Sequence, residues 1–314
     1  MRVLIICRKK ENAEFNTIVA TQAMSLQGQG LDCTLWGINQ GGLWGYFKAI
    51  PQLNRFIRAN QFDVFHAHYA LSGFVASLAN AQPLVVSLMG SDIQHNIMLR
   101  MIAKFFSKIF WQSTIVKSEQ MNRRFRVAGI QVIPNGVNLE TFYQISKPQC
   151  QQKLGWDLTK KHLLFAANPS RREKNFELTK QAFSMLKNDN VELHYLDNVK
   201  PEDMPTWLNA SDVVLLSSNW EGSPNVIKEA MACSRPIVST NVGDVKWLFG
   251  KESGHFISTS CASDFAEKIK LALDFSLSNE CTSGRNRILQ LGLDDVNVSK
   301  KLVNLYEGVI RKYA

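Results

Sequence analysis

Two rhythms of hydrophobic and polar positions run along this chain. Short runs rich in Val, Ile and Leu stand at RVLIIC (2–7), DCTLW (32–36), DVFHAH (63–68), PLVVSL (83–88), TIVKS (114–118) and QVIP (131–134). Four more follow at HLLFAA (162–167), VELHYL (191–196), DVVLLSS (212–218) and PIVSTN (236–241). Amphipathic stretches fill the gaps, such as NTIVATQAMSLQGQG, which closes on glycines as a helix does. A run that is apolar throughout leaves no face for solvent, so each one predicts a strand covered on both sides. Strand alternating with helix then predicts parallel sheets in two doubly wound α/β domains. The length of 314 residues agrees, because it exceeds what a single core sustains. The polar stretch around 144–160 marks the expected boundary. The predicted organisation is a first domain over 1–146, a second over 147–295, and a helix over 296–314 packing back on the first.

Composition narrows the class. Hydrophobic residues at 45% and charged residues at 20% exclude a disordered chain. The net charge of +9 is uneven: residues 1–146 hold 14 Lys and Arg against 7 Asp and Glu, and the remainder 22 against 20. The first half is therefore expected to meet something acidic, a membrane surface, a phosphorylated substrate or nucleic acid. No motif that reads RNA or DNA accompanies the basic pI, so nucleic acid is not expected. The six cysteines form no CxxC pair and have no histidine partner at metal spacing, which fits a reducing compartment. The start, MRVLIICRKK, has too short an apolar run for a signal peptide, and no run of about 18 apolar residues exists. Cytoplasmic residence is the expectation.

Residues 96–111, NIMLRMIAKFFSKIFW, place Arg100, Lys104 and Lys108 at intervals of four among Ile, Met, Phe and Trp, with Arg123, Arg124 and Arg126 downstream. This pattern fits a helix lying on an anionic membrane, with 96–126 as the contact region. It fits equally a core helix with one basic solvent stripe.

The chemistry concentrates in NWEGSPNVIKEAMAC, 219–233. After the strand 212–218, Ser223 stands where an N-cap belongs and Pro224 where a first helical residue belongs. The amides of Asn225, Val226 and Ile227 would point from the helix start as an anion site. Glu229 shares a face with Asn225 and leans back toward that site, and Glu221 stands beside it in the loop. Such a loop follows a strand's carboxyl end, where open α/β sheets bind ligands. By pattern alone the two glutamates are either charges on a solvated helix or a grip on one ligand. In SRREKN, Arg171, Arg172 and Lys174 are a cationic loop that would suit a departing diphosphate, or a solvated turn. His66 and His68, two apart on one strand, fall on the same face and read as strand-end or core histidines. Asp92 could serve an acceptor or cap the next helix.

EGSPNVIKEAMACSRPIVSTNVGD resembles the E-x7-E signature of the retaining nucleotide-sugar glycosyltransferases of family 4, which have the GT-B fold. FDVFHAHYALSG, PLVVSLMGSDI, IVKSEQM, VIPNGVNLETF, AANPSRREKNFELTKQAF and WLNASDVVLLSSNWEGSP follow in family order. The resemblance implies that Glu221 contacts donor-sugar hydroxyls and that Glu229 binds the nucleotide ribose. It implies that Gly222, Ser223, Pro224, Asn225 and Val226 form the turn meeting the diphosphate and sugar. Lys174 matches the diphosphate lysine, and Arg171 or Arg172 its arginine. Asn198, in LDNVKPEDM, lies on the donor side near the base, and Asp92, His68 and Asn16 are acceptor-side candidates. The implied reaction moves a sugar from a nucleoside diphosphate sugar to a lipid-linked saccharide in bacterial surface-polysaccharide assembly. Neither a cofactor nor a metal is implied, and no DxD-like pair is present. The chain departs from the family pattern at Met89, Ser234, Gly243-Asp244 and the loop ENAEFNT (11–17). Those at Met89, Ser234 and Asp244 support the alternative of a catalytically degenerate GT-B nucleotide-binding protein.

Overall fold

A computed structural model describes residues 1–9, 14–39, 42–94, 96–279 and 281–313. These residues form two compact units, Met1–Gly136 with Asp295–Ala314, and Val137–Asp294. The first carries β1 (Arg2–Arg8), β2 (Asp32–Ile38), β3 (Val64–His68), β4 (Leu84–Ser87), β5 (Ser113–Val116) and β6 (Gln131–Val132). They form one parallel sheet in the order β2-β1-β3-β4-β5-β6. The second unit carries β7 (Lys161–Phe165), β8 (Val191–Tyr195), β9 (Val213–Leu216), β10 (Ile237–Thr240) and β11 (His255–Ser258). Its sheet is also parallel, in the order β11-β10-β9-β7-β8.

The inner strands are buried on both faces, while the edge strands β2, β6 and β8 are mostly half-buried. Along β1, Leu4 and Ile6 join one core cluster while Val3, Ile5 and Cys7 join the other. Along β9, Val214 and Leu216 face one side and Val213 and Leu215 the other. The two-residue period of a strand divides the side chains in this way, and helices cover both sides. All ten anticipated strands form. The eleventh, HFIS, gave no apolar run to find, because it is a short edge strand with three of its four residues half-buried.

The final helix, Asp295–Tyr313, belongs to the first unit and sets Val298, Leu302, Tyr306 and Val309 against β1 and the helix Thr17–Gln27. Tyr306 is fully buried, and its hydroxyl meets His66 Nδ1 at 2.5 Å. The division between units falls at Gly136, ahead of the polar stretch 144–160. Val137 joins the second unit's core with Leu139 and Phe142, and Arg285 donates to the carbonyls of Leu139 and Phe142.

The helix Ile97–Ile109 turns its apolar side outward. Met98 is 70% exposed, and Ile97, Met101, Ile102, Phe105 and Ile109 are exposed with it, while only Ala103 is fully buried. Phe106 and Phe110 supply the partly buried contact with the sheet side. Arg100, Lys104 and Lys108 flank that outward face. A core helix with a basic solvent stripe would present the reverse. Among the described residues no helix is long and apolar enough to cross a membrane.

Candidate active site

In the second sheet the chain runs from β7 outward to β8 and returns to the other side of β7 as β9, so the topological switch point lies between β7 and β9. Loops at the carboxyl ends of strands flanking such a point diverge and leave a crevice. The sequence puts its candidate cations on the loop after β7 and its candidate glutamates on the loop and helix after β9.

The loop after β7 is a braced turn. Asn168 Oδ1 accepts from the amide and hydroxyl of Ser170, and Asn168 Nδ2 donates to Asp197. A single turn of 3-10 helix, Arg172–Lys174, ends at Asn175 in the left-handed region, φ 54°, where asparagine is tolerated. The Ser217 hydroxyl donates to the carbonyls of Lys174 and Asn175, and the Asn219 amide donates to the carbonyl of Glu173. The loop after β9 is thereby stitched to the turn after β7.

That stitching brings Lys174 Nζ to 2.5 Å from Glu221 Oε1, with both side chains largely buried. The Ser218 hydroxyl donates to the same oxygen at 2.7 Å. Two groups 47 residues apart thus form one ion pair over the switch point. Arg171 is exposed and pairs with Glu173 at 2.6 Å, and Arg172 is exposed on the turn.

The helix after β9 begins at Asn225 and runs to Ala232, with Pro224 as its N-cap in extended geometry, ψ 116°. The expected cap, Ser223, stands one residue too early for that role. Its hydroxyl accepts from Lys228 Nζ at 3.3 Å instead. Lys228 is fully buried, which removes the reading of this helix as a solvated face. Burial pulls its pKa down to about 8, against the opposing pull of Asp244 and Glu229. Glu229 is half-buried, yet desolvation of its carboxyl pushes its pKa up to about 7, with Lys228 holding it back.

The departure at Gly243-Asp244 acquires a structural meaning. Gly243 adopts φ 57°, and a Cβ there would sit 2.7 Å from the carbonyl oxygen of Gly222. The loop after β10 therefore rests directly on the loop carrying Glu221. Asp244 is buried, with neither carboxyl oxygen in a hydrogen bond by geometry, although the Ser223 hydroxyl is close enough to lower its pKa. Desolvation dominates and raises it to about 6. Sequence reasoning did not bring Lys228, Ser218 or Asp244 into this cluster of side chains. The one available signal was a lysine interrupting the apolar stripe of Val226, Ile227, Ala230 and Met231. Asn198 lies exposed on the loop after β8, φ 52°.

In the first unit the switch point lies between β1 and β3. Residues 11–13 of the loop ENAEFNT lie outside the described residues. Asn16, at its end, caps the helix Thr17–Gln27 by accepting from the Ile18 amide at 3.0 Å. The Asp92 carboxylate accepts from the amides of Ala70, Met89 and Gly90, which ties the turn after β3 to the turn after β4. His66 and His68 stack at 4.5 Å between ring centroids and are fully buried. His66 Nε2 meets Ser87 Oγ at 2.9 Å, and Lys117 Nζ donates to that hydroxyl at 3.3 Å. Burial, with Lys117 adding to it, drops the His68 pKa to about 3, so its ring is neutral near pH 7.

Among the described residues, one group of His, Cys, Asp or Glu side chains converges closely enough to ligate a metal. It is His162, Glu192 and His194, on the paired strands β7 and β8.

Residues 2–141 match the family model described as Glycosyltransferase Family 4, and residues 134–274 the model described as Glycosyl transferases group 1. A putative teichuronic acid biosynthesis glycosyltransferase of Bacillus subtilis is 26% identical over 66% of this chain and 60% of its own length. A D-inositol 3-phosphate glycosyltransferase of an Arthrobacter strain is 28% identical over 46% of this chain and 42% of its own. The chain thus spans about half the length of these two relatives. An Escherichia coli UDP-Gal:alpha-D-GlcNAc-diphosphoundecaprenol alpha-1,3-galactosyltransferase is 23% identical over 84% of this chain and 80% of its own. Among solved structures, sucrose-phosphate synthase from Thermosynechococcus elongatus superposes with a TM-score of 0.81 at 16% identity, covering 99% of this chain and all of its own. Anabaena HepE in complex with UDP superposes with a TM-score of 0.74 at 14% identity, covering 98% and 100%. At those identities the likeness fixes the fold, which is GT-B. With one model on the first sheet and the other on the second, and the E-x7-E glutamates on the turn and helix after β9, the chain belongs to glycosyltransferase family 4.

Proposed function

We propose that this chain transfers a sugar from a nucleoside diphosphate sugar to an acceptor hydroxyl, retaining the anomeric configuration and using no metal at the reacting centre. The observation that carries this reading is the Lys174–Glu221 pair at 2.5 Å beside the start of the helix Asn225–Ala232. A donor's diphosphate would take the Lys174 ammonium and the first amides of that helix. Its sugar hydroxyls would take Glu221 and its ribose would take Glu229. As the sugar–oxygen bond breaks, negative charge grows on the leaving diphosphate, and a preplaced cation stabilises it without reorganising. Arg171 or Arg172 would add to that charge, and Asn198 would lie toward the base. His68, Asp92 and Asn16 belong to the acceptor side, the first as a neutral group and the other two by holding the surrounding turns. The direct test is release of nucleoside diphosphate from a panel of UDP- and GDP-sugars on adding a polyprenyl diphosphate saccharide. Tight donor binding with no release for any donor would favour the degenerate alternative.

The titration of Glu229 gives an independent check. Its folded pKa, about 7, lies above the ordinary glutamate value of 4.5. Folding therefore favours its protonated form, and the stability this contributes is present below about 4.5 and lost as pH rises through about 7. Ribose hydroxyls would instead favour the carboxylate. Nucleoside diphosphate is thus expected to bind about tenfold more tightly at pH 8 than at pH 6. Calorimetric Kd values on the native chain and Glu229→Gln should show that dependence in the first and not in the second. Equal slopes would remove Glu229 from the ribose.

The proposed acceptor is a lipid-linked saccharide of a surface polysaccharide, reached from the inner face of a membrane. The outward apolar face of Ile97–Ile109 with its basic flank supports this. The chain is expected to sediment with vesicles containing phosphatidylglycerol and not with neutral ones. Reversing Arg100, Lys104 and Lys108 to Glu should weaken that binding by more than about a hundredfold, at about 1 kcal/mol or more per site. Unchanged sedimentation would exclude this helix as the contact.

A further inference from the structure

We propose that His162, Glu192 and His194 form a zinc site that pins the edge strand β8 to β7. The inference stands apart from the transferase reading. Register brings the three together: His162 pairs with Glu192 across the two strands, and Glu192 and His194 are two apart, so all three fall on one face of the sheet.

The spacing of the three donor atoms suits a metal centre. His162 Nδ1 lies 2.9 Å from His194 Nε2, and each nitrogen lies 3.7 Å from Glu192 Oε2. The point equidistant from the corners of a triangle with those sides is about 2.0 Å from each, the zinc–nitrogen and zinc–oxygen bond length. A structural or hydrolytic zinc takes just such His and carboxylate ligands, and water can complete the four. The side chains of His194 and Glu192 are 19% and 35% exposed, which leaves a path for water and ion.

The surroundings prepare these three groups as ligands. His162 Nε2 is 2.8 Å from the carbonyl oxygen of Asp157. A carbonyl only accepts, so Nε2 carries the hydrogen and Nδ1 turns its lone pair toward the other two residues. Such a backbone contact is the outer support that metal-bound histidines commonly have. His194 is stacked on Trp156 at 3.7 Å and 9°, which fixes its ring plane. It has only to carry its proton on Nδ1 for Nε2 to ligate. Lys160 holds Glu192 Oε1 at 2.7 Å, leaving Oε2 for the ion. Two neutral imidazoles and one carboxylate select a borderline divalent cation over magnesium or calcium, which need oxygen ligands.

The site has a mechanical consequence. β8 is the edge of its sheet, and the loop that includes Asn198 leaves from its end. A clip between β7 and β8 would hold the base of that loop.

The test uses the full chain without a histidine tag, stripped with a chelator, loaded with zinc and dialysed. Elemental analysis is expected to find close to one zinc per chain, and the Tm to rise by several degrees. Cobalt in its place should give the strong visible absorption of a tetrahedral site. Glu192→Gln and His194→Gln should each abolish retention and the absorption. Glu192 lies on an edge strand and is partly exposed, so its variant folds even where the histidine variant does not. Absence of retained zinc in the native chain, or retention unchanged in Glu192→Gln, would overturn the assignment.

Discussion

Glutamine at Glu221 is expected to lower turnover about a hundred- to a thousandfold while leaving nucleoside diphosphate affinity within about threefold. The substitution keeps the shape and an acceptor for the Ser218 hydroxyl, and removes only the charge that meets Lys174 and, in the proposed reaction, the donor sugar. Methionine at Lys174 is expected to act differently. It strands Glu221 in a largely buried position, and truncating one partner of a buried pair costs about 3 kcal/mol or more. The double variant Lys174→Met with Glu221→Gln should recover much of that stability, because neither charge remains without its partner. It should recover none of the turnover. Stability and activity therefore separate in this cycle, read by thermal melting and by steady-state release of nucleoside diphosphate. Turnover within about fivefold of native for Glu221→Gln would take Glu221 out of the reaction.

Alanine at Gly243 is expected to be the most damaging substitution outside the ligand-facing residues. Two costs combine. A left-handed φ of 57° disfavours any L side chain by about 1–2 kcal/mol. The added Cβ would also stand 2.7 Å from the Gly222 carbonyl oxygen and 3.2 Å from that of Glu221, both backbone atoms that cannot swing aside. The loop carrying Glu221 must shift, and a misplacement of about 1 Å can cost about a hundredfold in rate. Gly30 offers a control, since its φ is 82° and nothing lies within 4 Å of a Cβ there. Gly30→Ala should show the strain alone, a Tm lowered by a few degrees with activity unchanged. Gly243→Ala should show a larger fall in Tm and a loss of turnover. Matching effects of the two substitutions would mean that the contact with Gly222 is unimportant.

Much of the architecture could be read from local pattern. HLLFAA and DVVLLSS have no polar alternation, so they had to be strands buried on both faces, and parallel sheets followed. The E-x7-E spacing placed Glu221 and Glu229 around one helix start, because helical periodicity is a local property. Other features escaped for reasons equally physical. HFIS is too short and too exposed to stand out. The Ser223 hydroxyl meets Lys228 and does not cap the helix, which starts at Asn225, and Lys228 looked like a surface charge. The outward apolar face of Ile97–Ile109 could not be told from a buried one by periodicity, which reveals that a face exists and not what covers it.

The sequence by itself determined ten of the eleven strands, their parallel pairing, the family and the pair of glutamates after β9. These follow from dihedral preferences and side-chain period, which act over a few residues. Only the tertiary structure decided that Lys174 meets Glu221, that Gly243 presses on Gly222, that Asp244 and Lys228 are buried together, and that His162 stands beside Glu192 and His194. Each of those contacts joins residues distant in the chain, through strand order and register. Pairing geometry is set by the collective packing of two cores, and no short stretch of sequence carries it.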